Sequence, residues 1–380
     1  MKTVDLILYS PGLGYINRGL ETFTRELYEA VHEAPELAVT LFQGQGDDIV
    51  DGSRVVRAPR RNASVYNLLP YEVPLGRRYL IENLAFSLPL IKAAYQQERP
   101  IIHFSESVPA RLLYKLRQQF GGDFTLLFSN GGPVAPEHYM RFDYVQVLTP
   151  MQRRQALEAG YPKERLFLVP YGLDTSIFDA ERVAPSPELR EQFDLPKDRT
   201  ILLSVGAINT HHKRMDWLVE EVARLDESEY FLWMVGQKEG PETRVVEQLA
   251  EEKLCADGFR FDTFSYDRMP AVYRAADLFV LSSLHEGFGR VYIEAMASQR
   301  PVLAHPTGNT NWILGEDNPG LVEMDQPSAL ADRIKVFAND PSLQRDTSQV
   351  NQQRARQMFD WQVLKEDYMS MYRSIQENKI

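Results

Sequence analysis

Short apolar runs alternate with amphipathic stretches along the whole of this 380-residue chain, and that rhythm restricts the fold more than any other feature. An apolar run too short for a buried helix, then a loop with Gly, Ser or Pro, then a helical apolar period, is the pattern of βα units around a parallel sheet. Val4–Tyr9 reads as the first buried strand, Ser10–Gly19 as its loop and about Leu20–His32 as the helix. Ile101–Phe104, Thr125–Phe128, Tyr144–Leu148 and Leu166–Val169 continue the series. A proline- and charge-bearing stretch, Phe178–Thr200, then reads as a connection between domains. The rhythm resumes with strands at Ile201–Val205, Phe231–Val235, Phe259–Phe261, Leu278–Leu281 and Pro301–Ala304, and with a helix at Met215–Leu225. Trp361–Ile375 closes the chain with helical spacing of Val363, Leu364, Tyr368, Met369 and Tyr372. The length exceeds what one hydrophobic core usually serves. The expectation is therefore an α/β chain of two similar doubly wound domains facing each other across a cleft, with ligands beyond the carboxyl ends of the strands.

Charge and cysteine usage remove several function classes. With 53 acidic and 42 basic residues the formal net charge is −11, which argues against nucleic-acid binding through a general basic surface. Cys255 is the only cysteine, so neither an internal disulfide nor a multi-cysteine metal site is available, and a reducing, cytoplasmic setting fits. The N-terminal apolar run is short and interrupted by Asp5, unlike a signal peptide. No stretch approaches the roughly 18 apolar residues of a spanning helix.

The chemistry concentrates around Glu286-Gly287-Phe288-Gly289-Arg290 and Glu294. An apolar strand precedes this turn and a helix follows it. Gly287 and Gly289 allow close backbone approach to a ligand, and the helix start near Arg290 offers amide donors from Phe288 to Val291 and a dipole suited to a diphosphate. Glu294, one turn into the helix, is placed to accept both hydroxyls of a ribose. Glu286 is placed to hydrogen-bond a sugar hydroxyl. A bare Gly-x-Gly turn with a helix-favouring glutamate would look the same, because such short motifs are weak alone.

The surrounding segments add specificity. E-G-F-G-x-x-x-x-E-A-M-A from Glu286 to Ala297 resembles the donor-site signature of retaining glycosyltransferases of family four, which are glycogen-synthase-like and have the GT-B fold. Val169–Phe178 (VPYGLDTSIF), Ser204–Leu225, Met269–Gly289 and Phe359–Tyr372 resemble further segments of that family in the same order. The likeness is close from about Val145 onward and looser before it. It implies an N-terminal Rossmann-like acceptor domain over 1–172, a nucleotide-sugar donor domain over 173–359, and a C-terminal helix, about 360–380, packing back on the first.

The resemblance also implies residue roles. Lys213 matches the lysine that neutralises the donor diphosphate. The family's arginine position holds Ala207, so Arg214 or Arg290 is the candidate for the missing charge, a planar guanidinium being suited to phosphate. The Phe264-Ser265-Tyr266 loop is expected at the base and ribose, although packing of its two aromatics would explain it as well. In the first domain Gly19 and Glu21 partly match a Gly-Gly-x-Glu turn that faces the phosphates and acceptor, Arg18 replaces its first glycine, and Gly14 in the same loop is a further donor-side candidate. His103 matches a structural histidine. Ser105 stands where the family has a histidine against the donor sugar, with Glu106 beside it as a candidate acceptor-side base. Ser105, Asn130 and His138 are candidate acceptor residues, and Glu286, Lys213 and Glu106 the candidate catalytic set.

The chemistry so implied is metal-independent transfer from a nucleoside diphosphate-sugar, a substrate rather than a cofactor, to a hydroxyl of a glycan, glycolipid or small molecule. No protein nucleophile is required, and the protein supplies orientation and electrostatic stabilisation. No Asp-x-Asp pair or histidine cluster with ligand spacing accompanies these residues. A non-catalytic nucleotide-sugar binder, or an epimerase or phosphorylase on the same scaffold, is the alternative. Arg57–Lys92 mixes Arg60, Arg61, Arg77 and Arg78 with Tyr66, Tyr71, Tyr79 and Phe86. It suits an anionic acceptor or peripheral contact with the inner face of a membrane, and equally a solvated loop with an ordinary helix.

Overall fold

A computed structural model describes residues 3–16, 18–68, 73–132, 134–179, 186–238 and 240–378. Tyr71, and 180–185 of the expected connection, lie outside them. The chain divides into two compact units, one of Met1–Gly172 with Leu364–Ile380 and one of Leu173–Val363.

The first unit is built on β1 (Val4–Ser10), α1 (Gly19–Val31), β2 (Leu37–Gly44), β3 (Arg54–Val56), α2 (Leu75–Gln96), β4 (Ile101–Phe104), α3 (Ser107–Phe120), β5 (Thr125–Asn130), β6 (Tyr144–Val147), α4 (Pro150–Glu158) and β7 (Leu166–Leu168). Its sheet has the order β3-β2-β1-β4-β5-β6-β7, with every pair parallel. β4, β5 and β6 are buried at every residue, which is why they appear in the sequence as mainly apolar runs without a strict alternation of apolar and polar residues. The order reverses at β1 and β4, and loops leaving the carboxyl ends of two such strands diverge and leave room for a ligand. Phe104, Phe128 and Phe142 pack in the core on one side of the sheet, with Phe86 and Leu90 of α2.

The second unit contains α5 (Ser186–Gln192), β8 (Thr200–Val205), α6 (Met215–Val222), β9 (Tyr230–Val235), α7 (Pro241–Lys253), β10 (Phe259–Asp262), α8 (Met269–Ala275), β11 (Leu278–Leu281), α9 (Arg290–Ala297), β12 (Val302–Ala304), α10 (Gly308–Leu314), α11 (Ala329–Asn339) and α12 (Pro341–Met358). The five strands are parallel in the order β10-β9-β8-β11-β12, again reversing between the first strand and its neighbour β11. Trp233 is fully buried and packs with Phe193 and Phe264. Packing therefore accounts for Phe264 without a ligand.

A last helix, α13 (Trp361–Glu377), begins in the second unit and ends in the first. Its Tyr372 hydroxyl lies 2.8 Å from His103 Nδ1, and Gln146 Oε1 lies 2.8 Å from His103 Nε2. Gln146 donates through Nε2 to the Tyr368 hydroxyl and to Val169 O, both at 2.7 Å. Its Oε1 is thus the acceptor, which fixes His103 as a neutral ring protonated on Nε2. Burial drives the His103 pKa down to about 3, against a smaller opposing effect of the Gln146 bond. His103 is a structural tie between the sheet and the C-terminal helix.

Candidate functional site

In the second unit, loops leaving the carboxyl ends of β8 and β11 meet because those strands are neighbours. The loop after β8 is organised by buried Asn209, whose Oδ1 accepts from the Lys213 and His212 amides at 2.8 and 3.2 Å. Ser282 and Ser283, just past β11, hold the same loop from the other side. The Ser282 hydroxyl donates to Lys213 O and Arg214 O, and that of Ser283 to His212 O. Gly206 matters here because a Cβ on it would lie 2.9 Å from Lys213 Cε. The lysine stem crosses that gap and its Nζ reaches Glu286 Oε1 at 2.6 Å.

Both ends of this pair are removed from water, with side-chain exposures of 11% and 6%. Burial alone would raise the Glu286 pKa. The charges of Lys213 and His212, with hydrogen bonds from Lys213 and Ser283, outweigh it and hold the carboxyl below its usual range. Asn309 at the start of α10 fixes the turn beyond, donating to Glu286 O at 2.8 Å and Gly287 O at 2.9 Å. Gly289 is the left-handed residue before α9, at φ 74°, and a Cβ there would lie 2.6 Å from the Tyr292 ring. Glycine is required on both counts.

Phe288 departs from a ligand-facing role for its side chain. Its ring is 1% exposed and packs edge-on against Phe359, so what it can offer a ligand is its main chain. Arg290 is buried as well, donating to the Tyr266 hydroxyl at 3.2 Å with Nε 3.8 Å from Glu294 Oε1. Glu294 accepts from the Tyr273 hydroxyl at 2.8 Å. Arg290, Glu294, Tyr266 and Tyr273 thus form one group, and Lys213 and Glu286 another. Arg214 belongs to the second by sequence. It adopts φ 48°, ψ 46°, its guanidinium lies 4.8 Å from the centre of the Trp217 ring, and its buried Nη1 has no partner among the described residues.

In the first unit Gly14 has φ 106°, and a Cβ on it would lie 3.0 Å from Gly44 O, so the turn itself demands this glycine. Gly19 opens α1, behind Arg18, whose guanidinium pairs with the buried carboxylate of Glu21. Ser105 Oγ lies 3.2 Å from the Tyr171 hydroxyl, which also accepts from Ser129 Oγ at 3.1 Å. Glu106 immediately precedes α3; its carboxylate accepts from the Tyr79 hydroxyl and its carbonyl from Tyr9 at 2.6 Å. Asn130 ends β5, 2% exposed, with Oδ1 unsatisfied among the described residues. His138 is exposed, in a short 3-10 turn.

Sequence reasoning missed Glu82. It is buried on α2, where Arg61 donates to it at 2.7 Å and Tyr15 also bonds it. Arg61 in turn covers the Tyr79 ring at 4.6 Å. The available signal was an acid three residues after Tyr79, one of only two in an otherwise basic segment. Sequence spacing likewise hid His305, Glu323 and Asp325, whose ligand atoms lie within 4.8 Å of one another. A bridge between Ala304 and Leu321 brings them together. His305 Nδ1 already accepts from the Met324 amide at 3.1 Å, and both carboxylates are exposed.

Residues 185–354 match the family model described as glycosyl transferases group 1. Lipopolysaccharide core biosynthesis glycosyltransferase LpsD of Rhizobium meliloti is 25% identical over 241 residues, 62% of this chain and 66% of that protein. Two further curated relatives, alpha-D-kanosaminyltransferase of Streptomyces kanamyceticus and mannosylfructose-phosphate synthase of Agrobacterium fabrum, are matched over about half of their length. Among solved structures, sucrose-phosphate synthase of Thermosynechococcus elongatus has a TM-score of 0.80 at 22% identity, over 98% of this chain and 99% of that one. Anabaena HepE in complex with UDP-glucose has a TM-score of 0.76 at 16% identity, over 97% and 99%. The two parallel-sheet α/β units are those of the GT-B fold.

Proposed function

We propose that this chain, which belongs to the group 1 glycosyl transferases, transfers a sugar from a nucleoside diphosphate-sugar to an acceptor hydroxyl, with retention of configuration and without a metal ion. The buried Lys213–Glu286 pair carries the reading. It holds an ammonium group beside the first turn of α9, where positive charge and the helix dipole suit a departing diphosphate. Arg214 supplies the second cation in place of Ala207. Glu294, aligned by Tyr273 and Arg290, takes the ribose hydroxyls, with Tyr266 beside the base. Glu286 orients Lys213 and accepts from a sugar hydroxyl, and the backbone of Phe288 and Gly289 approaches the phosphates. The HepE complex with UDP-glucose supports a nucleotide-sugar of this class.

In the first unit we assign the turn from Gly14 to Gly19 to the donor side. Ser105, Glu106, Asn130 and His138 are assigned to the acceptor, a glycan, glycolipid or small molecule. The bond from the anomeric carbon to the phosphate oxygen breaks as that to the acceptor oxygen forms on the same face. The acceptor proton passes to the departing phosphate, so no protein nucleophile is consumed. No cofactor enters this scheme, and the single cysteine fits a cytoplasmic setting.

A thermal-shift screen with UDP-, GDP- and ADP-sugars tests the donor site, since a bound donor stabilises the folded state by mass action. Glu294→Ala should abolish the donor-dependent shift and also lower the unliganded midpoint, because it strips the buried Tyr273 hydroxyl and Arg290 of their carboxylate; unchanged donor affinity sinks the assignment. Ala207 and Ser105 favour a second reading, a binder without turnover. Release of nucleoside diphosphate, assayed with a panel of acceptors, separates the two.

A further inference from the structure

Residues 54–96 contain seven Arg or Lys and two Asp or Glu, in a chain whose net charge is −11. Glu82, one of the two acids, is buried against Arg61 and presents no charge to solvent. The same stretch holds nine of the seventeen exposed large apolar side chains among the described residues. Single exposed apolar residues are normal on a protein surface, but a concentration of them marks an interaction site.

The arrangement on α2 is the informative part. Leu80, Ile81, Leu84 and Leu88 recur at helical spacing and form one stripe; all are exposed, Leu88 at 69%. Phe86, Leu90, Ala93 and Ala94 of the same helix lie in the core. A helix that is apolar on both sides is one that is covered on both sides. Arg77, three residues before the stripe, and Lys92, four after it, are exposed. Beside the helix, Arg54 and Lys92 line a recess of about 300 Å³ whose other walls include Val55, Val56, Phe42 and Pro89.

We propose that α2, with β3 beside it, docks this chain onto an anionic lipid bilayer, the stripe of α2 lying in the interfacial plane and the flanking cations on lipid phosphates. Apolar area and basic charge on one helix face are what such a surface selects. A second copy pairing symmetrically through the same face would set the exposed Arg77 and Lys92 against their own equivalents, which like-charge repulsion opposes.

Flotation of the full chain with vesicles tests this. It should rise with vesicles of phosphatidylcholine plus phosphatidylglycerol, stay down with phosphatidylcholine alone, and be released by added salt. Leu84→Ser with Leu88→Ser should lower partitioning about tenfold or more. Arg77→Ser with Lys92→Ser should lower it by about fivefold per cation. All four side chains are exposed, so unchanged melting midpoints would show that the variants remain folded. A parent protein that stays down with anionic vesicles at low salt, or variants that float as it does, overturns the proposal. So does a dimer seen by light scattering that the leucine variant disperses without any vesicle binding. None of these readouts depends on glycosyl transfer.

Discussion

Lys213 Nζ and Glu286 Oε1 meet at 2.6 Å although 73 residues separate them, because β8 and β11 are adjacent strands whose loops are tied by Asn209, Ser282 and Ser283. Removing one member of a buried pair leaves an uncompensated charge, which is costlier than removing both. Lys213→Met should cost about 3 kcal/mol in urea unfolding. Lys213→Met with Glu286→Leu should recover most of that stability while donor binding, followed by calorimetry, stays lost. A double variant no more stable than the single one would show that the charge is not what matters.

Strands are legible in the sequence where the sheet buries them on both faces, as in Ile101–Phe104 and Leu278–Leu281. β2 and β3 are not, because they carry Thr40, Gln43 and Arg54 among their apolar residues, and β3 is the edge strand of the sheet. Lys213, Glu286 and Glu294 are each legible from a motif. Their partners are not. Tyr273, Asn309 and Ser282 reach the site through strand order and loop geometry, which no local pattern encodes. Phe288 shows the converse, a motif residue whose ring serves the core.

Acid sensitivity should follow from two groups with the same sign. The Glu286 carboxyl lies below its usual 4.5 in the folded state, so its contribution is present above that pH and is lost as pH falls through the folded value. His103 is held neutral, with its pKa down at about 3 from 6.5. Between those values the unfolded chain binds the proton and the folded chain does not, so stability falls on acidification from pH 6.5 toward 3. His103→Gln should be less stable at about pH 7 and show a shallower loss between about pH 6.5 and 5 in urea titrations. An unchanged slope would mean that His103 is protonated in the folded protein.

Gly289→Ala should destabilise by about 2 kcal/mol, because alanine is strained at a left-handed position and its Cβ would meet the Tyr292 ring. Gly76, on α2 with nothing within 4 Å of where a Cβ would stand and an ordinary helical backbone, is the control. Its replacement by alanine should stabilise by about 0.5 kcal/mol. Equal effects at the two positions would remove the argument for a steric requirement at Gly289.

Arg214 and Arg290 make opposite predictions about which one replaces the charge absent at Ala207. Arg290 is already engaged with Tyr266 and Glu294, so Arg290→Ala should lower the melting midpoint as well as donor affinity. Arg214 sits in a left-handed conformation with a buried Nη1 that has no partner among the described residues, an arrangement that costs stability and that a bound phosphate would relieve. Arg214→Ala and Arg214→Gly should both weaken nucleoside diphosphate binding about tenfold or more, the scale of a charged hydrogen bond. They should differ in stability, with glycine the more stable by about 1 kcal/mol because it carries no Cβ at positive φ. Calorimetric titration of UDP, GDP and ADP against the parent and both variants, beside urea unfolding, separates the two effects. Full nucleotide affinity in both Arg214 variants would assign the second cation elsewhere.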